Sequence, residues 1–131
     1  MEGKHWSVEY MAELNIILTK VIGEVVLQDV KEAILYSFEL AKKHGTLKSL
    51  CDCREMITFN IDTTFDNYIL AKFYDNLGID RTLKEAILVN ADDTNIRSSM
   101  AFFEIVAANQ GYNIKVFTDE QKAMEWLINS V

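Results

Sequence analysis

The residues best suited to chemistry lie in a short apolar stretch, Leu50-Cys51-Asp52-Cys53-Arg54. A carboxylate among apolar neighbours must be neutral or paired, so we expect Asp52 to contact Arg54 or the amides of a helix start. Together with Arg97, these two residues could form the active site of a small enzyme. No His, Ser or Lys lies at a spacing that is diagnostic of a general base or a nucleophile. We therefore predict no catalytic residues.

Cys51 and Cys53 are the two cysteines of the chain. Alternate residues of a strand share a face, and at that spacing the two thiols are poorly placed for a disulfide with each other. As metal ligands they lack companions, because His5 and His44 are far away in sequence and there is no second cysteine pair. We expect free thiols that pack as small hydrophobic side chains in a reducing compartment, with neither a metal nor a cofactor.

The glycines give no phosphate-binding loop. They are isolated from one another at Gly3, Gly23, Gly45, Gly78 and Gly111. A nucleotide loop needs several glycines close together, so that backbone amides can surround the phosphates. The sequence therefore excludes Rossmann and Walker nucleotide sites.

Alternating strand and helix patterns must position the candidate residues. Alternation or short apolar runs predict strands at residues 6–10, 16–22, 47–53, 85–91 and 113–117. Apolar spacing of three or four predicts helices from 27 to the end signal at Gly45, over 63–77, over 95–110 and after 118. Asn15 lies in the first turn, Gly23 is expected to end the second strand, and Thr118 is expected to cap the last helix through a capping box.

The order ββαβαβαβα predicts the α/β class. Strand–helix–strand units favour a single-layer, mostly parallel five-stranded sheet packed with helices. The opening hairpin supplies an antiparallel edge strand. One domain is expected to cover residues 1–131. The order of the strands within the sheet does not follow from the sequence.

Polar residues follow the predicted parallel strands, at the edge where open α/β sheets bind ligands. Asp92 and Asp93 follow the fourth strand, and Arg97 lies in the first turn of the next helix. The helix dipole disfavours a cation there. We expect Arg97 to form an ion pair with Asp92, Asp93 or Glu55, and the alternative is that it binds an anionic group.

The third helix carries more aromatic surface than one buried face needs. Phe103 shares the inner face with Ile96 and Met100, whereas Phe102 points in another direction. We expect both phenylalanines to pack in the core. The alternative is that one of them lines a cavity or contacts a partner.

Composition narrows the class of partner. The chain has 131 residues, 50% of them hydrophobic, and a formal net charge of −7. Such an acidic protein repels phosphate backbones, so nucleic acid is not an expected partner. No segment approaches the roughly 20 apolar residues of a transmembrane helix. The first residues do not resemble a signal peptide, and we expect a cytoplasmic protein.

Several strings resemble the STAS fold, which is named after sulphate transporters and anti-sigma-factor antagonists, and most closely its SpoIIAA-like family. They are Gly23-Glu24-Val25, Leu50-Cys51-Asp52-Cys53-Arg54, Arg97-Ser98-Ser99, Asn109-Gln110-Gly111, Val116-Phe117-Thr118-Asp119 and Trp126-Leu127. The likeness covers nearly the whole chain. It implies a bacterial regulatory or binding module that is not an enzyme. Because the family is often grouped with CRAL-TRIO lipid-binding domains, it also implies a hydrophobic ligand.

The resemblance further implies a phosphorylation switch. In anti-sigma-factor antagonists, a serine in an Asp-Ser-Ser-Gly string opens the second helix and is phosphorylated by the partner kinase. The matching string here is Asp62-Thr63-Thr64-Phe65, which makes Thr63 the phosphate acceptor at a helix N-terminus. Phe65 replaces the glycine, which changes the partner-facing turn. The plainer interpretation of the string is a helix cap.

We therefore predict a non-enzymatic STAS-like regulatory module that binds a protein partner or a small lipid-like ligand. The candidate binding residues are Asp52, Arg54, Asp92, Asp93, Arg97, Phe102 and Phe103. One alternative is a phospho-regulated antagonist that uses Thr63, and another is a small enzyme that uses Asp52, Arg54 and Arg97. Self-association is expected if the hairpin face that carries Trp6 and Tyr10 is exposed and apolar.

Overall fold

The computed structural model describes residues 2–59 and 65–129. The elements are β1 (Trp6–Met11), β2 (Ile16–Val25), α1 (Leu27–His44), β3 (Lys48–Phe59), α2 (Phe65–Leu77), β4 (Lys84–Leu88), α3 (Thr94–Asn109), β5 (Asn113–Phe117) and α4 (Glu120–Ile128). The predicted α/β class and the order ββαβαβαβα are confirmed. Within the described ranges, no helix combines the length and apolar character needed to cross a bilayer.

The five strands lie in the order β1-β2-β3-β4-β5. β1 is antiparallel to β2, and the other three pairs are parallel. Each parallel connection moves one strand in the same direction. Because such crossovers share one hand, α1, α2 and α3 lie on the same face of the sheet. α4 follows the last strand and covers the opposite face.

The two faces of the sheet have separate cores. The larger core lies under α1, α2 and α3 and includes Val21, Phe38, Leu70, Ile87 and Phe103. The smaller core lies under α4 and includes Ile16, Leu50, Ala86, Leu88, Ala123 and Leu127. Since β4 contributes to both, its side chains from Glu85 to Leu88 are all buried, as its near-continuous apolar run predicts.

The hairpin face that carries Trp6 and Tyr10 lies against α1. Trp6 is 6% exposed and its ring stacks on Tyr36 at 5.2 Å between centroids. Tyr10 stacks on His44 at 3.8 Å. The condition for self-association through this face, that it be exposed and apolar, is therefore not met, because the α1 crossover covers it.

Three predicted strand ends differ from the structure. β2 continues through Gly23 and ends at Val25. Gly23 has a φ of 79°, which glycine adopts without steric strain. β3 extends to Phe59 rather than Cys53, and β4 ends at Leu88 rather than at residue 91. The predicted start of α2 at residue 63 lies outside the described residues. Strand lengths depend on the neighbouring strand, which the sequence pattern does not contain.

The cap of α4 also differs from the prediction. Asp119, not Thr118, is the N-cap residue, and its Oδ1 accepts hydrogen bonds from the amides of Gln121 and Lys122. A carboxylate at this position both accepts the free amides and interacts favourably with the helix dipole. The capping-box spacing therefore identified the helix start one residue too early.

β2 and β3 together extend beyond the rest of the sheet. Pairing of β1 with β2 ends at Val21, and pairing of β3 with β4 ends at Asp52. Residues 22–25 of β2 then pair with residues 55–59 of β3, after a one-residue register shift between Lys20 and Ile22. This two-stranded extension lies at the carboxyl ends of the strands.

The smaller core depends on one short helix, which leads to a stability prediction. The Leu127 side chain lies on the inner face of α4 and is fully buried, whereas the adjacent Ile128 is 42% exposed. We expect Leu127→Ala to lower the free energy of unfolding by about 2–5 kcal/mol, because it leaves a cavity against β4. Ile128→Ala is the matched control and should change it by less than about 1 kcal/mol. Urea denaturation of both variants tests this, and equal effects would contradict the two-core description.

Candidate functional site

An ion cluster lies where β3 passes the N-terminus of α4. Arg54 donates from Nε to Asp52 Oδ1 at 3.0 Å and from Nη2 to Asp52 Oδ2 at 2.9 Å. Its Nη2 also contacts Glu120 Oε1 at 3.0 Å. The expected pairing of Asp52 with Arg54 is confirmed.

In this cluster, the charged forms of Asp52 and Arg54 stabilise each other. Partial burial opposes ionisation of Asp52, but the hydrogen bonds and the charge of Arg54 outweigh it and lower the pKa of the Asp52 carboxyl. The same carboxylate raises the pKa of Arg54 further above its usual range. At neutral pH, Asp52 is therefore an engaged carboxylate and a poor proton acceptor.

Arg97 and its neighbours form a second polar region at the start of α3. Its Nη1 donates to the Ala91 carbonyl oxygen at 2.9 Å. The Asp93 carboxylate accepts the Ile96 amide at 3.0 Å as the helix cap, and the Asp92 side chain is exposed. Across residues 2–59 and 65–129, Arg97 forms no ion pair within 4 Å. The predicted ion pair with Asp92, Asp93 or Glu55 was wrong. The Arg97 guanidinium donates to the Ala91 carbonyl instead, and the Asp93 carboxylate caps α3.

Arg97 borders an open cleft of about 470 Å³ between α3 and β5. Thr94, Ser98 and Thr118 add hydroxyl groups to its wall. Glu104 also lines it, and its Oε2 accepts the backbone amide of Val116 at 2.9 Å. The cleft thus offers hydrogen-bond donors, but an acidic side chain opposes the binding of an anion there.

The three residues of the predicted enzyme site do not meet. Arg54 contacts both Asp52 and Glu120, whereas the cleft beside Arg97 is lined by neither Asp52 nor Arg54. No hydrogen bond or ion pair joins Arg97 to either residue in the described part of the chain. The arrangement offers no convergent acid, base and nucleophile.

A cavity of about 50 Å³ lies between the sheet and the layer formed by α1, α2 and α3. Phe103 lines it and is 3% exposed. Phe102 is partly buried, and its ring packs edge-on against Tyr68 at 6.4 Å. Phe103 thus belongs to the core and Phe102 packs against it, as the core interpretation predicts; a ligand or partner contact by either phenylalanine stays a prediction.

Glu85 is a polar residue of this cavity that the sequence analysis did not single out. It is 6% exposed, and its Oε1 accepts a hydrogen bond from the Tyr74 hydroxyl at 2.8 Å. Burial raises the pKa of Glu85 to about 7, and the hydrogen bond from Tyr74 acts in the opposite direction. The sequence did contain a signal for a buried carboxyl, namely one acidic residue within an apolar strand. Such a strand is covered on both faces, so every side chain in it is buried.

The two cysteines also face the cavity. The Cys51 and Cys53 sulfurs lie 3.5 Å apart, and both thiols are free, as predicted. The hydrogen bond with Cys53 and burial raise the pKa of Cys51 well above its usual value. Among the described residues, no group of three or more His, Cys, Asp or Glu side chains is placed to hold a metal ion. Thr63 lies outside the described residues, so its role stays a prediction.

The buried Glu85 carboxyl makes stability depend on pH. Its pKa is about 7 in the folded protein against 4.5 for the free side chain. Between these values the unfolded chain is ionised and the folded one is not, so stability falls as pH rises from about 4.5 to about 7. We expect this loss to reach on the order of 3 kcal/mol and to disappear in Glu85→Gln, which can still accept from Tyr74. Urea denaturation of both proteins from pH 4.5 to 8 measures it, and parallel pH profiles would contradict the assignment.

Comparison with known proteins agrees with this architecture. An anti-sigma factor antagonist from Mycobacterium paratuberculosis superposes with a TM-score of 0.59 at 9% identity, over 93% of this chain and 93% of that one. An uncharacterised DUF3478-family protein with a SpoIIAA-like fold from Shewanella loihica gives a TM-score of 0.55 at 16% identity, over 97% and 98% of the two chains. No curated protein matches the sequence. The SpoIIAA-like family model matches residues 16–128, and the chain therefore belongs to the SpoIIAA-like family.

Proposed function

We propose that this protein is a non-enzymatic regulatory module that binds a protein partner at the carboxyl ends of β2 and β3. The observation that carries the proposal is a set of exposed aliphatic side chains on and beside the two-stranded extension. Ile22 is 45% exposed, Val26 is 49% exposed and Ile57 is 74% exposed. We refer to these three residues as the carboxyl-end patch.

The pairing register brings the patch residues together. Ile22 pairs with Glu55, two residues before Ile57 on the same strand. Val26 follows Val25, the last residue of β2, which pairs with Phe59. Scattered single apolar residues are normal on a surface, but three at one sheet end favour an interaction surface.

The backbone beside the patch also favours a protein partner. β4 pairs with β3 only as far as Asp52, so in the described residues the β4 side of the next part of β3 has no strand partner. An open strand edge presents amide and carbonyl groups that an extended segment of another protein can pair with. A partner could thus bind through both backbone pairing and the exposed aliphatic side chains.

Charge around the patch indicates the chemistry of that partner. Glu24 and Glu55 are exposed on the extension. The nearby cation of Arg54 is already paired with Asp52 and Glu120. The rim of the surface is therefore acidic, and we infer a partner segment that presents apolar side chains flanked by Lys or Arg.

The other predicted functions have less support. A ligand pocket usually encloses roughly 300–1,000 Å³, whereas the cavity beneath the helices is about 50 Å³. A lipid-like ligand would need the helix layer to open. An enzyme would need Asp52 and Arg97 in one cleft, and they lie in separate clusters. Membership of the SpoIIAA-like family, and a fold shared with an anti-sigma factor antagonist, support action on a protein.

Site-specific crosslinking tests the partner surface. A photoreactive amino acid placed at Ile57 should yield one discrete crosslinked protein in native cells, which mass spectrometry identifies. The purified partner should then bind wild-type protein, and Ile57→Asp should weaken binding by roughly tenfold or more because it introduces a charge into an apolar contact.

The matched control is Ile105 on α3, which is 59% exposed. The same probe at Ile105 should give no discrete product, and Ile105→Asp should leave affinity unchanged. Equal crosslinking at both positions, or a partner that binds Ile57→Asp at wild-type affinity, would refute the proposed surface.

A phosphorylation switch at Thr63 is the regulated form of this proposal. Thr63 lies in the sequence between Phe59, the end of β3, and Phe65, the start of α2. A phosphate on Thr63 would add negative charge to an already acidic protein and should weaken binding of a basic partner segment. Protein purified from its native cells should show an added phosphate by intact mass. The phosphate adduct should be absent in Thr63→Ala and present in Thr64→Ala. A phosphate adduct that persists in Thr63→Ala would exclude the switch.

A further inference from the structure

We propose that Cys51, Cys53, Met56 and Met100 form a binding site for one soft monovalent cation of the Cu(I) class, within the cavity beneath α1, α2 and α3. All four side chains line this cavity. The site lies inside the molecule, and it is independent of the carboxyl-end patch.

The sulfur–sulfur distance suits a shared ion. Two cysteine sulfurs, one thiolate and one thiol, bound to one metal at about 2.3 Å with a tetrahedral angle lie roughly 3.8 Å apart. The Cys51 and Cys53 sulfurs are 3.5 Å apart, so a small rotation of the side chains is enough to chelate an ion. A disulfide needs about 2.05 Å between the sulfurs, and alternate residues of an extended strand do not readily reach it.

The register shift in β3 places a third sulfur on the same face. Strict alternation after Cys51 and Cys53 would turn Glu55 inward. One additional β3 residue lies between the partners of Lys20 and Ile22, and Met56 faces the cavity instead. Met56 is 5% exposed, whereas Glu55 is on the surface. Three consecutive inward positions of β3 therefore carry sulfur.

The fourth sulfur comes from the helix layer. Met100, on α3, is 4% exposed and lines the cavity opposite the strand. Thiolate and thioether ligands select soft ions such as Cu(I), whereas harder divalent ions prefer imidazole and carboxylate.

The charge of the site fits a monovalent ion. Loss of one thiol proton gives a single negative charge, which one Cu(I) neutralises, so the loaded cavity carries no net charge from this group. The Cys51 thiol is protonated in the free site, because its hydrogen bond with Cys53 and its burial raise the pKa of Cys51. Binding therefore releases a proton, and affinity should rise with pH.

An anaerobic competition titration tests the site. Reduced protein is titrated with Cu(I) in the presence of the chromogenic chelator bicinchoninate. We expect one Cu(I) per chain, withdrawn from the chelator, and X-ray absorption should show sulfur as the ligand. Cys53→Ala should abolish this competition. Met100→Leu should weaken binding by roughly tenfold or more, which corresponds to about 1.4 kcal/mol.

Met124→Leu is the matched control, because it also removes one thioether but in the smaller core under α4. It should bind Cu(I) like the wild type. Leucine conserves the volume of methionine, so both variants should fold, and circular dichroism checks this. Copper bound equally by Cys53→Ala, equal affinities in Met100→Leu and Met124→Leu, or formation of only a Cys51–Cys53 disulfide would each overturn the proposal.

Discussion

The parallel pairing of β2 with β3, and the first of its two register shifts, between Lys20 and Ile22, is the constraint on which the candidate sites depend. The pair extends beyond β1 and β4, so its last residues form a two-stranded extension at the carboxyl edge. The same shift exchanges which β3 side chains face inward. Met56 enters the cavity, while Glu55 joins the acidic rim. One backbone irregularity thus supplies both a surface and an interior cluster.

The interior of this domain is more polar than its apolar composition suggests. Glu85 and Tyr74 form a buried hydrogen bond, and the Thr19 and Ser37 hydroxyls lie 2.6 Å apart in the same cavity wall. Buried polar groups cost free energy unless they are paired, and here they are paired with one another. Burial keeps Glu85 largely protonated below its pKa of about 7. The core therefore contains an ionisable group that responds to pH and is not purely apolar.

The surface chemistry of the candidate site is simpler, because Asp52, Arg54 and Asp93 already have partners. Arg54 is held by two carboxylates, and Asp93 is held by a helix amide. A catalytic site needs groups whose protonation and position are free to change during a reaction. What remains available at the carboxyl edge is aliphatic surface, strand edge and acidic charge, which are the means by which one protein binds another.

Local sequence patterns predicted the helices, the strands and the pairing of Asp52 with Arg54, because these depend on residues near one another in the chain. α1 illustrates this, since its last-turn basic residues and the αL conformation of Gly45 end it where the sequence indicates. The partner of Arg97 could not be predicted. The choice between a carboxylate and the Ala91 carbonyl depends on the path of the loop before α3.

The sequence by itself determined the α/β class, the element order, the family likeness and the free state of the two thiols, because periodicity and composition act locally. Only the tertiary structure decided the strand order, the lengths of β2 and β3, and the burial of Glu85 beneath Tyr74. It also decided that Met56 and Met100 share a cavity with the cysteines. These features arise from pairing between distant segments, and the register of that pairing is a property of the packed sheet rather than of any one strand.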